Sequence, residues 1–551
     1  MNTEHAPVIL DGRTLTPASL VAVARGHQWL ELDKECRTAL AQARQYIETN
    51  WLTDAAPLMY AFNTGVGSLK SLRIGAKDVV AFQTNLIRSH SASTGELMPK
   101  EVVRAMMVLR VNAFASNHSG VRLAMVDRLV DMLNHDITPI VASKGSVGAS
   151  GDLAPLALMA GAMMGMPESK VEYEGEVLSA AAAFERAGLA PTLDVQAKDA
   201  TALINGATAS LAYAVLAAHD ARALLSSATV SLALSLEALR ADVACFQDRV
   251  MLARPHKGQR RVAASIRKLI ENSARCTEPA RQIVLWGTPN AQSSTVGLPQ
   301  NPPLAPRIQD AYSLRCAPQV HGPVLDALDY IDGILQTEMN SATDNPLIFP
   351  EDDTYEIISA GHFHGQYIAQ AMDLLALVVT DLSAICDRRS SRLIDPACNF
   401  GLPANLIAER PGVNSGFPTV QSMGTGLVLE NMGLCSPASA TSLPAKGNTE
   451  DHISNSCFAA RRSRTVVQNA QAVVAVELLL AAQALDLSER NLKQFALGVG
   501  SQAALKAVRA VVPATWGEDR WVHDDLDTLK KAVVDGSILA AVEAAVGSLD
   551  L

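Results

Sequence analysis

The chain has 551 residues, 48% apolar and 19% charged, which is enough to bury a large core unaided and too apolar for disorder. Its 46 Lys and Arg against 56 Asp and Glu leave a formal charge of −10, the wrong sign for binding nucleic acid by phosphate neutralisation. Aromatic residues, at 4%, are too few for a base-stacking platform, and the longest uncharged apolar stretches fall short of the ~20 residues that span a bilayer.

The N-terminus lacks the basic start and apolar run of a signal peptide, so a soluble, cytoplasmic protein is expected. Val8–Leu15, straddling Asp11-Gly12, reads as a small hairpin. Thr16-Pro17 reads as a helix N-cap followed by proline at the first helical position. Helical patterning resumes over Glu31–Asn50, and glycines and polar clusters then punctuate Asn63–Asp152. The charged patch Pro167–Val177 predicts a surface hairpin around Gly175. Thr201–Ala244, Val324–Asn340, Gly365–Leu393 and Val466–Leu487 are apolar nearly all round, as helices are when buried in a bundle or a subunit interface. A short strand pair, Leu347–Phe349 with Tyr355–Ile358, interrupts them. The fold class expected is mainly α: a loop-rich α+β N-terminal domain (residues 1–197), a long central helical bundle (198–512) and a C-terminal helical tail (513–551). The eight cysteines are scattered, with neither metal-ligand spacing nor a disulfide framework, and are expected to be thiols in a reducing compartment. No Walker A, HExxH or dinucleotide glycine fingerprint is present, so neither a metal nor a nucleotide cofactor is expected.

The chemistry concentrates at Gly145-Ser146-Val147-Gly148-Ala149-Ser150-Gly151-Asp152-Leu153-Ala154-Pro155. A nucleophile elbow would need GxSxG spacing, which is absent. A glycine-rich turn before a helix is the plainer reading. A third fits the tripeptide Ala149-Ser150-Gly151 better: the Gly151 amide nitrogen attacks the Ala149 carbonyl, glycine permitting the close backbone approach. Loss of water, including the Ser150 hydroxyl, then leaves a methylidene-imidazolone (MIO). Its exocyclic methylene is an electrophile of a kind no ordinary side chain provides.

Gly145–Pro155 resembles the prosthetic-group motif of the aromatic amino acid ammonia-lyase family. Further segments match it in order. Tyr60-Ala61-Phe62-Asn63-Thr64-Gly65-Val66-Gly67 is similar to the family's tyrosine loop, and Leu203-Ile204-Asn205-Gly206 to its asparagine segment. Gln309-Asp310-Ala311-Tyr312-Ser313-Leu314-Arg315-Cys316, Thr343-Asp344-Asn345-Pro346 and Gly361-His362-Phe363-His364-Gly365 match three more. The resemblance implies a fumarase/aspartase-like helical lyase architecture, although the Gly-Ser-Ser…Met-Pro loop of that superfamily is absent. It also implies a homotetramer whose active sites draw residues from three subunits, acting on a small amino acid substrate with no nucleic-acid or membrane partner.

On this resemblance, the electrophile from Ala149, Ser150 and Gly151 captures the amino group and makes it a better leaving group. Tyr60 is the general base for the β-proton, a phenol that needs nearby positive charge or hydrogen-bond donors to work near neutrality. Arg315 grips the substrate carboxylate. Asn205, Gln309, Tyr312, Asn345 and Phe363 line or polarise the prosthetic group and hold the substrate. Ser89-His90 and the Glu450 of Asn448-Thr449-Glu450-Asp451-His452 fall where family members that act on histidine read the ring, and an imidazole offers both a donor and an acceptor. The expected reaction is therefore elimination of ammonia from an aromatic L-amino acid, L-histidine to urocanate first among them. A modified histidine, tyrosine or phenylalanine as substrate, or a 2,3-aminomutase outcome, are the alternatives. Thr449 in place of glutamine, Arg88 before the serine-histidine pair, and Ala61 in place of glycine depart from the family pattern on the substrate side.

Overall fold

The computed structural model describes residues 6–285, 308–445 and 449–551. Asn448 of the Glu450 segment and the first five residues of the N-terminal stretch lie outside these. The chain divides into two compact units, each assembled from segments distant in sequence: Met1–Ala217 with Ile331–Asp373 and Pro437–Arg464, and Ala218–Tyr330 with Leu374–Ser436 and Thr465–Leu551. Among the described residues helices dominate, and the strands form only two- and three-stranded sheets.

In the first unit, Thr16 caps the helix Pro17–Ala24 by accepting from the Ser19 N–H at 3.2 Å, as its sequence predicts. Val8–Leu15 is not a hairpin. Val8–Leu10 pairs in parallel with Leu30–Leu32, and Asp11 turns the chain by accepting from the amides of Arg13 and Thr14, both at 2.8 Å. A parallel partner needs a crossover, which the helix Pro17–Ala24 supplies. The next helix begins only at Lys34, where Asp33 caps it, because Leu30–Leu32 is committed to the strand pair. The hairpin around Gly175 forms as expected, Lys170–Tyr173 against Glu176–Ser179, and so does the pair Leu347–Glu351 with Thr354–Ile358.

One cluster in this unit seats the tyrosine loop. Ala43, Ile47 and Trp51 at the end of the helix Lys34–Asn50 pack with Ala56, Met59, Phe62 and Ile348. The Trp51 and Phe62 rings meet edge to face, 5.3 Å between centres at 85°. Truncating either ring costs about 3–5 kcal/mol by the usual core rule, so the loop holding Tyr60 is tied to the core on both sides.

The long apolar segments are helices: Thr208–Ala238, Ala317–Met339, Gln366–Ile394 and Ser456–Leu492. The apolar run from Thr201 is broken at Asn205-Gly206, between Asp199–Ile204 and Thr208–Ala238. Two of these helices, Gln366–Ile394 and Ser456–Leu492, are long and apolar enough to cross a bilayer by composition. The apolar windows are 67% and 89% buried within the protein, as core helices are. After Pro513 the chain forms the helices Val522–Val534 and Ser537–Val546 in the second unit.

Candidate active site

The glycine-rich loop ends in a backbone contact that only two glycines permit. Gly151 has φ +81° and bridges to Gly206, whose φ is +104°. A Cβ on Gly151 would fall 2.1 Å from the Gly206 carbonyl carbon, and one on Gly206 would fall 2.3 Å from the Thr343 oxygen. The break at Asn205-Gly206 therefore lets three backbone segments stack directly, and Ser150 stands at the edge of the stack. The Asp152 N–H donates to the Gly206 carbonyl at 2.8 Å. Its carboxylate, fully buried, accepts from Ser146 Oγ at 2.5 Å, Ser210 Oγ at 3.0 Å and the Ser210 N–H at 2.7 Å, so it anchors the first turn of Thr208–Ala238. Burial pushes the Asp152 carboxyl up, against the hydrogen bonds from Ser146 and Ser210.

A cavity of about 1160 Å³ opens beside this stack, wholly within the first unit. Tyr60, His90, Ala149, Ser150, Asn205, Asn345, Phe363 and Glu450 all line it. Gly151 is buried in the stack beneath. The Tyr60 phenol oxygen accepts from the Gly67 N–H at 3.2 Å. The Ser150 hydroxyl donates to Glu450. His90 Nδ1 lies 2.8 Å from the Leu86 carbonyl and 3.1 Å from Ser89 Oγ. Asn345 Oδ1 accepts from the Ala360 N–H at 2.8 Å. Asn205 Oδ1 is buried and has no hydrogen-bond partner among the described residues.

Gln309, Tyr312 and Arg315 belong to the second unit and do not line this cavity. Tyr312 is 71% exposed, with the Arg315 guanidinium 4.7 Å from its ring centre. The Arg315 Nε donates to the Asp310 carbonyl at 2.9 Å. Among residues without an assigned role, Leu69, Lys70, Phe82 and Asn85 also line the cavity. The Leu69 and Lys70 positions follow the tyrosine loop directly, a proximity that could have flagged them.

A family model of aromatic amino acid lyases matches residues 15–510. The chain belongs to the aromatic amino acid lyase family. Within this ammonia-lyase family, histidine ammonia-lyase 2 of Fusobacterium nucleatum is 40% identical over 541 residues, 98% of this chain and 99% of its own. The crystal structure of histidine ammonia-lyase from Trypanosoma cruzi superposes with TM-score 0.86 at 35% identity, covering 99% of this chain and 96% of that one. Tyrosine aminomutase from Streptomyces globisporus superposes with TM-score 0.88 at 33% identity, covering 98% and 99%. The mainly helical lyase architecture expected from the sequence is the architecture of this aromatic amino acid lyase.

Proposed function

We propose that the chain eliminates ammonia from L-histidine to give urocanate, using an MIO group formed from Ala149, Ser150 and Gly151. The observation that carries this reading is the single cavity that gathers Tyr60, Ser150, His90 and Glu450. The tripeptide fits the group. Gly151 lies backbone to backbone against Gly206, and Asn205 presents an unpartnered buried oxygen to the same cavity. The ring, once closed with loss of two waters, supplies an electrophile that turns the substrate amine into a leaving group.

The remaining work falls to side chains of this chain. Tyr60 takes the β-proton at its phenol oxygen, which the Gly67 N–H holds in place. Asn205 and Asn345 orient polar groups of the substrate and Phe363 covers its ring. His90 and Glu450 pair with the two imidazole nitrogens, and a site so built leaves buried polar groups unpaired when a phenyl ring enters. Arg315, with Gln309 and Tyr312, binds the substrate carboxylate from another copy of the chain in a homotetramer. The exposed setting of Tyr312 supports that delivery.

A substrate panel tests this reading: histidine, its N-methylated forms, tyrosine and phenylalanine, followed by ultraviolet absorbance of the conjugated acrylate. Histidine is expected to exceed phenylalanine in kcat/KM by about 10⁴-fold, the discrimination of a site built around polar partners. Faster turnover of tyrosine or phenylalanine than of every imidazole substrate would overturn the substrate assignment. A β-amino acid product in place of the acrylate would make the enzyme an aminomutase, as the Streptomyces neighbour is named.

A further inference from the structure

Beneath the cavity lies a guanidinium with no part in the reaction just described. Arg110, on the helix Lys100–Ala115, is fully buried, its guanidinium carbon 4.8 Å from the centre of the Phe114 ring. Its Nη1 donates to the Asn205 carbonyl and, at 3.3 Å, to Thr208 Oγ1. Its Nε and Nη2 are buried with no hydrogen-bond partner among the described residues. Burying a cation with donors unpaired is costly, so anchoring two acceptors is a poor reason to keep it. The local charge count says the same. Arg110 and Lys198, both fully buried, face the buried carboxylate of Asp344. Lys198 Nζ holds that carboxylate at 2.7 Å and donates also to the carbonyls of Ser119 and Pro346, at 3.1 and 2.7 Å. Burial pulls the Arg110 guanidinium down only to about 10, so it stays charged at neutral pH.

The charge is aimed at one peptide. The Asn205 carbonyl accepts from Arg110, and the N–H at the other end of the same peptide, on Gly206, donates to the Ser150 carbonyl at 3.4 Å. The glycine contacts described above leave no room for a side chain between them. A cation bonded to a peptide oxygen draws electron density through the amide plane and strengthens its N–H as a donor. In a buried setting that polarisation is weakly screened.

We propose that Arg110 is a positioning residue that acts through the Asn205–Gly206 peptide to polarise the Ser150 carbonyl and raise the electrophilicity of the group formed there. The proposal rests on the MIO reading. In that ring the Ser150 carbonyl is conjugated with the exocyclic methylidene, so electron density drawn to its oxygen leaves the methylidene carbon poorer in electrons.

The test uses the full-length assembled protein and three variants, Arg110→Gln, Arg110→Met and Arg110→Lys. Circular dichroism reports folding, and intact mass reports the two-water deficit. Cyanide is the probe: its carbon bonds to the methylidene carbon, a proton from water completes the addition, and each chain gains the mass of one HCN. The neutral variants are expected to keep the deficit and add cyanide about tenfold more slowly, less than the loss of a direct oxyanion donor causes. Their kcat falls by a similar factor with KM little changed, whereas Arg110→Lys stays within about threefold of wild type because the charge remains. A neutral variant with the full deficit and wild-type addition rate would overturn the proposal. So would a folded neutral variant with no deficit, since Arg110 would then act on ring closure. If neither neutral variant folds, Arg110→Lys decides: near-wild-type addition supports the proposal, and a tenfold loss with charge retained rejects it. A wild-type protein without the deficit rejects the MIO reading itself, a result separable from all of these.

Discussion

In the second unit, the fully buried Glu477 carboxylate accepts from Arg389 Nε at 2.5 Å and Nη2 at 2.9 Å, and from the Ser231 and Ser235 hydroxyls at 2.8 and 2.7 Å. Arg389 completes itself on the Ser313 carbonyl, at 3.4 Å, and on Cys386 Sγ, at 3.1 Å. In the first unit, Asn205 and Arg110 are also buried, yet Asn205 Oδ1 and the Arg110 Nε and Nη2 have no partner among the described residues. A closed network of this kind specifies how helices pack. Asn205 Oδ1, left open at the cavity wall, is what a binding site needs, because the ligand supplies the missing partner. Burial of charge alone does not separate structure from function.

The sharpest way to break that contrast is at the cavity. Ser150→Ala has no hydroxyl to lose, so its intact mass should equal the translated mass. Its turnover should fall by at least about 10³-fold with an unchanged unfolding midpoint, since only covalent catalysis is removed. Tyr60→Phe keeps the ring in its packed loop and removes the acid–base atom. Its kcat should drop by about 10²- to 10⁴-fold while the two-water deficit persists, and near-wild-type turnover would pass the base role to another residue.

The second unit should respond in stability instead. Glu477→Gln leaves the Arg389 guanidinium buried without a carboxylate, and urea unfolding should register a loss of about 3–5 kcal/mol. A small loss there would mean that the closed network does not hold the helices as argued. The mildest test concerns the departure at Ala61, which is buried at φ +63° in the left-handed region. Ala61→Gly relieves that strain against the extra entropy of glycine, and thermal unfolding should show a gain of about 0.5 kcal/mol.

Residues adjacent in sequence were legible without coordinates. The ring proposed for Ala149-Ser150-Gly151 would draw only on neighbouring atoms, so that proposal can be read from the tripeptide alone. Thr16-Pro17 and the Gly175 turn act over a few residues and appear where expected. Val8–Leu10 does not, because a strand's partner, here Leu30–Leu32, is chosen by tertiary packing and not by the turn that follows it.

The sequence by itself determined the helical class, the family resemblance and the tripeptide from which the electrophile is proposed to form, because covalent neighbourhood and apolar patterning are local properties. Only the tertiary structure decided that Tyr60, His90, Ser150, Asn205, Asn345 and Glu450 share one cavity, and that Gln309, Tyr312 and Arg315 stand in the other unit. It also decided that Arg110, one of several polar residues on its helix, sits beneath Asn205. The physical reason is range. A hydrogen bond or a buried charge acts across a few ångströms of space, and hundreds of residues of chain between its two ends leave no trace in the pattern of either.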